Sequence, residues 1–384
     1  MTREFDVIVY GATGFTGRLV AEYLIENARG VRWAMAGRSA GKLAEVRDLI
    51  GAPADTPLVV ADAADAASIG AMVARTKVVL TTVGPYQLYG NELVAACAAA
   101  GTDYVDLCGE PAWMRHMIDA HDAAAKASGA RIVFSCGFDS IPFDLGVLFL
   151  QDIVIAETGA PAARIKCRVR KMKGTFSGGT AASMKATMAA AAKDLKVVGL
   201  LKNPFALTPG FEGPSQPMGL LPEYDSINGM WAAPFIMAPI NTKNVHRTNA
   251  LLGHPYGTDF RYDEMVLTTI GDAGRAAAEA IARMNPMSDA KGPKPGEGPS
   301  KEERDAGHYE IVFIAEGPDG KPRKAVVTGD RDPGYGSTSK MIAESAMLLA
   351  ETDAPGGIWT PGAVMGRPLI ERLVANAGLT LARE

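Results

Sequence analysis

The chain has only four cysteines, Cys97, Cys108, Cys136 and Cys167, and no two are spaced as CxxC. Its five histidines form no HExxH. Structural and hydrolytic zinc sites are built from such clusters, so no metal site is expected, and four scattered cysteines read as reduced thiols rather than a disulfide framework. There is no excess of positive charge either. Lys and Arg number 39 against 43 Asp and Glu, a formal net charge of −4, which removes the electrostatic footprint of a nucleic-acid binder. No apolar run is long enough to span a bilayer. The best stretch, 265–284, is broken by Asp272, Arg275, Glu279 and Arg283. No leader of the secretory type precedes the first apolar segment, Phe5-Asp6-Val7-Ile8-Val9-Tyr10, so a cytoplasmic location is the default expectation.

What the sequence does have is alternation. Apolar runs of strand length fall at 7–10, 33–36, 58–61, 78–83, 104–107 and 132–134, with helical patterns at 17–27, 42–50, 66–75, 92–100 and 112–128. Near-continuous apolar strands separated by helices predict a parallel sheet covered on both faces. Right-handed crossovers then make it an α/β, doubly wound Rossmann domain. The pattern changes near Phe143. Strands at 164–171, 261–269, 309–315 and 324–328, and helices at 144–152 and about 181–195, predict a second α+β domain on a mostly antiparallel sheet. The last two strands join through Gly317-Pro318-Asp319-Gly320, a hairpin turn. Segments 203–222 and 287–304 are rich in Pro and Gly and read as irregular. The expected division is 1–143 for the nucleotide domain, 144–335 for the α+β domain, and 336–384 for a helical segment packing back on the first.

Gly11, Gly14 and Gly17 sit between the first strand and the first helix. One glycine permits a tight turn, one lets the backbone approach a pyrophosphate, and one lets helix and strand pack closely. The helix start offers free N–H groups and a positive dipole end to phosphates. Thr13, Phe15 and Thr16 fall in that loop. The second strand ends in Ala36-Gly37-Arg38-Ser39, where an NAD site would carry an acid for the ribose hydroxyls. Arg38, with Ser39 and Lys42 nearby, suits a 2′-phosphate by charge and by its planar fork. The expected cofactor is therefore NADP(H). Asp62, after the third strand, is placed for the adenine ring or as a helix cap. Val83, Gly84 and Pro85 follow the fourth strand and are expected along the pyrophosphate and the nicotinamide ribose.

These motifs, with Thr81-Thr82-Val83-Gly84-Pro85-Tyr86 and Cys136-Gly137-Phe138-Asp139-Ser140-Ile141-Pro142, resemble the saccharopine dehydrogenase-like oxidoreductases. The likeness is greatest to the mycobacterial trans-acting enoyl reductases. It continues in Ser177-Gly178-Gly179-Thr180, Ala238-Pro239-Ile240-Asn241-Thr242, Pro293-Lys294-Pro295-Gly296-Glu297-Gly298-Pro299-Ser300 and Thr360-Pro361-Gly362-Ala363, and so covers nearly the whole chain. The resemblance implies an NADP-type domain with a second domain over the nicotinamide. For the enoyl reductase branch it implies reduction of a carbon–carbon double bond in a polyketide or fatty-acyl intermediate held on a synthase. Saccharopine-type reduction of an amino-acid imine, and a non-catalytic role at a lipid surface or partner, are the alternatives. A homodimer and peripheral contact with a membrane stay open at this stage.

Enoyl reduction needs a proton donor, a group that polarises the conjugated carbonyl, and an apolar slot. Tyr86 is the first candidate donor, because it follows the fourth strand; packing on the cofactor is its other reading. Asp139 and Ser140 follow the sixth strand and either cap the next helix or face the substrate. Glu110 lies at the same sheet edge, to bind the nicotinamide half or to cap a helix beginning at Pro111. Cys108 and Cys136 read as packing. The methionine-rich stretch 172–188 and the run 231–239 are candidates to line an acyl pocket, or ordinary core.

Overall fold

A computed structural model describes residues 3–174, 178–284 and 297–384. The first six strands are β1 (Phe5–Tyr10), β2 (Trp33–Gly37), β3 (Leu58–Val60), β4 (Thr76–Thr81), β5 (Asp103–Val105) and β6 (Arg131–Val133). All pair in parallel, in the order β6-β5-β4-β1-β2-β3. Val7, Ile8 and Val9 are fully buried, as a strand covered on both faces requires. The connections lead outward from β1 in one direction and from β4 in the other. A crevice therefore opens at the carboxyl ends of β1 and β4, where such sheets bind ligands.

The second sheet is built from β7 (Arg164–Lys173), β8 (Glu223–Asp225), β9 (Met230–Pro234), β10 (Arg261–Leu267), β11 (His308–Glu316) and β12 (Pro322–Gly329). The chain ends with β13 (Gly357–Trp359) and β14 (Leu379–Arg383). The sheet order is β14-β12-β11-β7-β10-β9-β8, antiparallel except where β7 meets β10. Both sheet types are as the sequence predicts. Buried Arg168 on β7 is held by Asp225 and Asp263, so its charge is paired inside the sheet.

The C-terminal segment carries the helices expected there, Thr338–Glu351 and Gly366–Asn376, and adds two short strands that were not expected. β13 pairs with β6 and extends the first sheet, while β14 pairs with β12 and closes an edge of the second. Three and five residues are too short to show a period, and each is completed only by a distant partner. Helix Thr338–Glu351 packs on the first sheet. Its fully buried Glu344 accepts from Tyr23, Arg29 and Arg372, which ties the last segment to helix Phe15–Asn27. Helix Ile141–Thr158 packs on the second sheet. Gly146 allows it, since a Cβ there would lie 2.4 Å from the Phe313 ring.

Ser177 and residues 293–296 of the motifs quoted above, with 287–292 of the segment read as irregular, lie outside the described residues. Among the described residues, no helix is long and apolar enough to cross a membrane, and no group of His, Cys, Asp and Glu could hold a metal ion.

Candidate active site

The glycine loop has the geometry its spacing predicts. Gly11 has φ +92°, and a Cβ there would press on Thr82 and Val83 at 2.8 Å. A Cβ on Gly17 would lie 2.2 Å from the Gly11 carbonyl oxygen, so only glycine lets the helix sit this close to β1. No side chain caps helix Phe15–Asn27, and its first N–H groups face the crevice end uncommitted. Thr13 is exposed in the turn, and Thr82 Oγ1 donates to the Gly11 carbonyl at 3.4 Å. The Phe15 ring turns away. It meets Tyr335 edge-on at 4.7 Å, with Arg18 and Arg304 over its faces, so only its backbone is placed for a phosphate.

At the end of β2, Arg38 is exposed and has no hydrogen bond or ion pair among the described residues. Lys42 is exposed beside it, and Ser39 accepts from the Lys42 backbone N–H as the cap of helix Ala40–Leu49. Two uncommitted cations flanking a hydroxyl fit a 2′-phosphate. Asp62 is exposed and accepts from the Ala64 N–H at 3.0 Å. It does not cap the following helix, because Asp65 does. Past β4, the Val83 N–H donates to Thr81 Oγ1, Gly84 is exposed, and Pro85 leads into a short helix, Tyr86–Tyr89.

From this loop a cavity of about 650 Å³ runs between the two sheets. Thr16, Thr82 and Gly84 line its nucleotide end. Met184, Met188, Met218, Pro234 and Phe235 line an apolar wall. Both apolar stretches singled out in the sequence thus reach the cavity.

The expected catalytic residues separate here. Tyr86 lines the cavity with its ring, but its hydroxyl donates to the Thr81 carbonyl at 3.3 Å and accepts from the Leu107 N–H at 3.1 Å. Its one proton is committed to the sheet edge, and burial pushes its ionisation far up. The geometry therefore corrects the choice of Tyr86 as donor. Ser140 is corrected too. It is fully buried, does not line the cavity, and its hydroxyl accepts from Asn244 at 2.8 Å instead of capping helix Ile141–Thr158. Asp139 does line the cavity, with no hydrogen-bond partner among the described residues, and enclosure by protein pushes its carboxyl up to about 7. Glu110 caps neither its own helix nor open space. Its carboxylate accepts from the backbone N–H groups of Tyr86 and Gln87, both at 2.9 Å. Cys108 and Cys136 are buried, and desolvation holds their thiols well above the usual range, so they pack.

Three cavity residues were missed from sequence, and two lie on helix Ala238–Leu251. Lys243 is buried and donates to the carbonyls of Leu201 and Pro239, and desolvation lowers it to about 8. His246, one turn on, has an Nε2 buried without a partner, and burial keeps its ring neutral. The third is Glu264 on β10. It accepts from Asn241 and Tyr262, and burial, with the nearby charges of Asp263 and Asp139, raises it well above the usual carboxylate range. The signal for the helix was Pro239 at its first turn. The polar run that follows hid it.

Known proteins agree with this geometry. Residues 7–133 match the saccharopine dehydrogenase NADP binding domain. The chain is 37% identical to the trans-acting enoyl reductase of Mycobacterium bovis, over 99% of this chain and 97% of that one. It is 42% identical, over the same shares, to a Mycobacterium tuberculosis protein that carries the name provisionally. Among solved structures, saccharopine dehydrogenase (L-Glu forming) from Saccharomyces cerevisiae superposes with a TM-score of 0.58 at 12% identity, over 99% of each chain. That likeness shows the fold alone. With a glycine cradle, an uncommitted arginine at the end of β2 and full-length likeness to these reductases, the chain is an NADP-dependent oxidoreductase belonging to the trans-acting enoyl reductase family.

Proposed function

We propose that this protein reduces the carbon–carbon double bond of an acyl, polyketide or lipid-like enoyl substrate, presented on a carrier or synthase. The observation that carries the reading is the single cavity. It joins the nucleotide loop to a methionine-lined wall and is lined by two raised carboxyls, Asp139 and Glu264.

When bound, NADPH supplies the hydride. Backbone N–H groups at Phe15, Thr16 and Gly17 would hold its diphosphate, and Arg38, Ser39 and Lys42 its 2′-phosphate. Asp62 would border the adenine, and Val83, Gly84 and Pro85 the ribose nearer the cavity. Asp139 is the proposed proton donor. Two carboxyls in one poorly solvated wall do not both ionise readily, so the pair Asp139 and Glu264 retains a proton near neutrality. Lys243 has a third N–H beyond its two carbonyl partners, which suits it to polarise the substrate carbonyl. Methionine side chains adapt to flexible acyl chains.

The imine alternative would bring carboxylates to a wall lined by Asp139, Asp263 and Glu264, with Lys202 and Lys243 as its cations. Enoyl thioesters of graded chain length and a panel of imino acids, each offered with NADPH, separate the readings. Oxidation of NADPH by enoyl thioesters alone supports the proposal, and oxidation by imino acids alone sinks it.

A further inference from the structure

The segment that contributes Met172, Met184, Met188 and Lys202 to the cavity lining combines positive charge with exposed apolar side chains. Residues 164–202 contain ten Lys and Arg and one acid, Asp194, in a chain whose net charge is −4. Five of the ten are paired within the second sheet: Arg164, Lys166, Arg168, Arg170 and Lys171. The other five, Lys173, Lys185, Lys193, Lys196 and Lys202, are exposed and have no ion pair among the described residues.

Large apolar side chains are exposed on the same elements and on the segment that follows them. Leu195 is 85% exposed and Leu221 76%, and Met172, Met188, Met218 and Leu220 are exposed as well. Helix Leu195–Lys202 reads LKVVGLLK and buries none of its residues. Leu195 is exposed and Val197, Val198, Leu200 and Leu201 are half-buried, where a surface helix of a globular protein ordinarily buries an aliphatic stripe. The patch continues inward, because Met172, Met188, Lys202, Met218 and Leu220 also line the cavity.

We propose that this face docks on an anionic lipid bilayer. Exposed leucines and methionines enter the headgroup–acyl boundary, and the unpaired lysines meet the lipid phosphates. Charge complementarity selects this occupant. A second copy in a twofold contact would set the same lysines against one another. An acidic protein domain would satisfy the lysines but leaves the exposed leucines without a role. The proposal deepens the functional reading by naming a bilayer as the place where the acyl chain enters the cavity. It rests on that reading only for the identity of the cargo.

Flotation of the full chain with vesicles tests it, using phosphatidylcholine alone against phosphatidylcholine mixed with phosphatidylglycerol. Binding is expected to the mixed vesicles only and to fall as salt rises. Each lysine removed should weaken binding about five-fold, so Lys193→Glu combined with Lys196→Glu should weaken it at least ~25-fold. Leu195→Ser should also weaken it, and NADPH affinity should not change in either variant. The proposal is overturned if the wild-type chain ignores the mixed vesicles, or if neither variant alters binding. It is also overturned if the patch proves to be a self-association face, seen as a dimer that Leu195→Ser dissociates. Failure of enoyl turnover, by contrast, would leave vesicle binding in place.

Discussion

Glu110 accepts a hydrogen bond from the backbone N–H of Tyr86 at 2.9 Å, and so the loop after β5 fixes the loop after β4. The same buried carboxylate also takes the Gln87 N–H and Gln87 Nε2, so three donors converge on it. Gly84 and Pro85 lead directly into this cap. Glu110→Ala leaves buried donors without acceptors, at about 1–3 kcal/mol each. Denaturant unfolding should show a loss of at least ~2 kcal/mol, and NADPH affinity should fall because the loop moves.

Arg38 is placed to discriminate between cofactors. Hydrogen bonds to charged groups are worth about 1.5–3 kcal/mol, which is roughly 10–100-fold in affinity. Arg38→Ala should weaken NADPH by that factor and leave NADH within about three-fold, and Arg38→Asp should weaken NADPH further. Calorimetric titration of both cofactors is the check. Equal losses for both would remove the 2′-phosphate role.

Tyr86 should matter to stability more than to chemistry. Tyr86→Phe strands the Thr81 carbonyl and the Leu107 N–H in a buried site. The expected cost is about 1–3 kcal/mol in unfolding, with kcat changed less than about three-fold. A large fall in kcat with unchanged stability would return the donor role to Tyr86.

Asp139 should control the pH profile. A carboxyl raised to about 7 is protonated below that pH, so kcat should fall as pH rises through 7 and should lose this limb in Asp139→Asn. Loss of a general acid costs about 10²–10⁴-fold in rate. Stability gives a second readout. The folded state holds a proton that the unfolded chain releases above the ordinary value of 3.8, so Asp139 weakens the fold progressively as pH rises from there to about 7. Asp139→Asn should therefore raise Tm relative to the wild type at pH 8 and much less at pH 4. Identical shifts at the two pH values would contradict the raised carboxyl.

Strands β1 to β6 were legible because each is a short apolar run between helical patterns, while β13, which completes their sheet, was not. Gly11 and Gly17 were legible because no other residue fits a position with φ +92° or a Cβ 2.2 Å from a carbonyl oxygen. Helix Ala238–Leu251 was not. It buries Asn241, Lys243, Asn244, His246, Arg247, Thr248 and Asn249, so it has no continuous apolar stripe, and amides such as those of Asn241 and Asn244 donate to Glu264 and Ser140 on other elements. Periodicity assumes that burial follows hydrophobicity, and this helix breaks that assumption at the site itself. Ser140 was misread for a related reason. Its place after β6 is that of a cap, but Asn244, 104 residues away, claims its hydroxyl.

The most direct test of the account follows a label. NADPH carrying deuterium at the transferable position of nicotinamide C4 is incubated with the protein and an enoyl thioester, and the acyl product is analysed by mass spectrometry. The account predicts one deuterium per molecule of saturated product, located on the carbon β to the thioester carbonyl, with Asp139→Asn forming this product about 10²–10⁴-fold more slowly but with the same label. An unlabelled product, a label on the α carbon, or label transfer only to imino-acid substrates would contradict it.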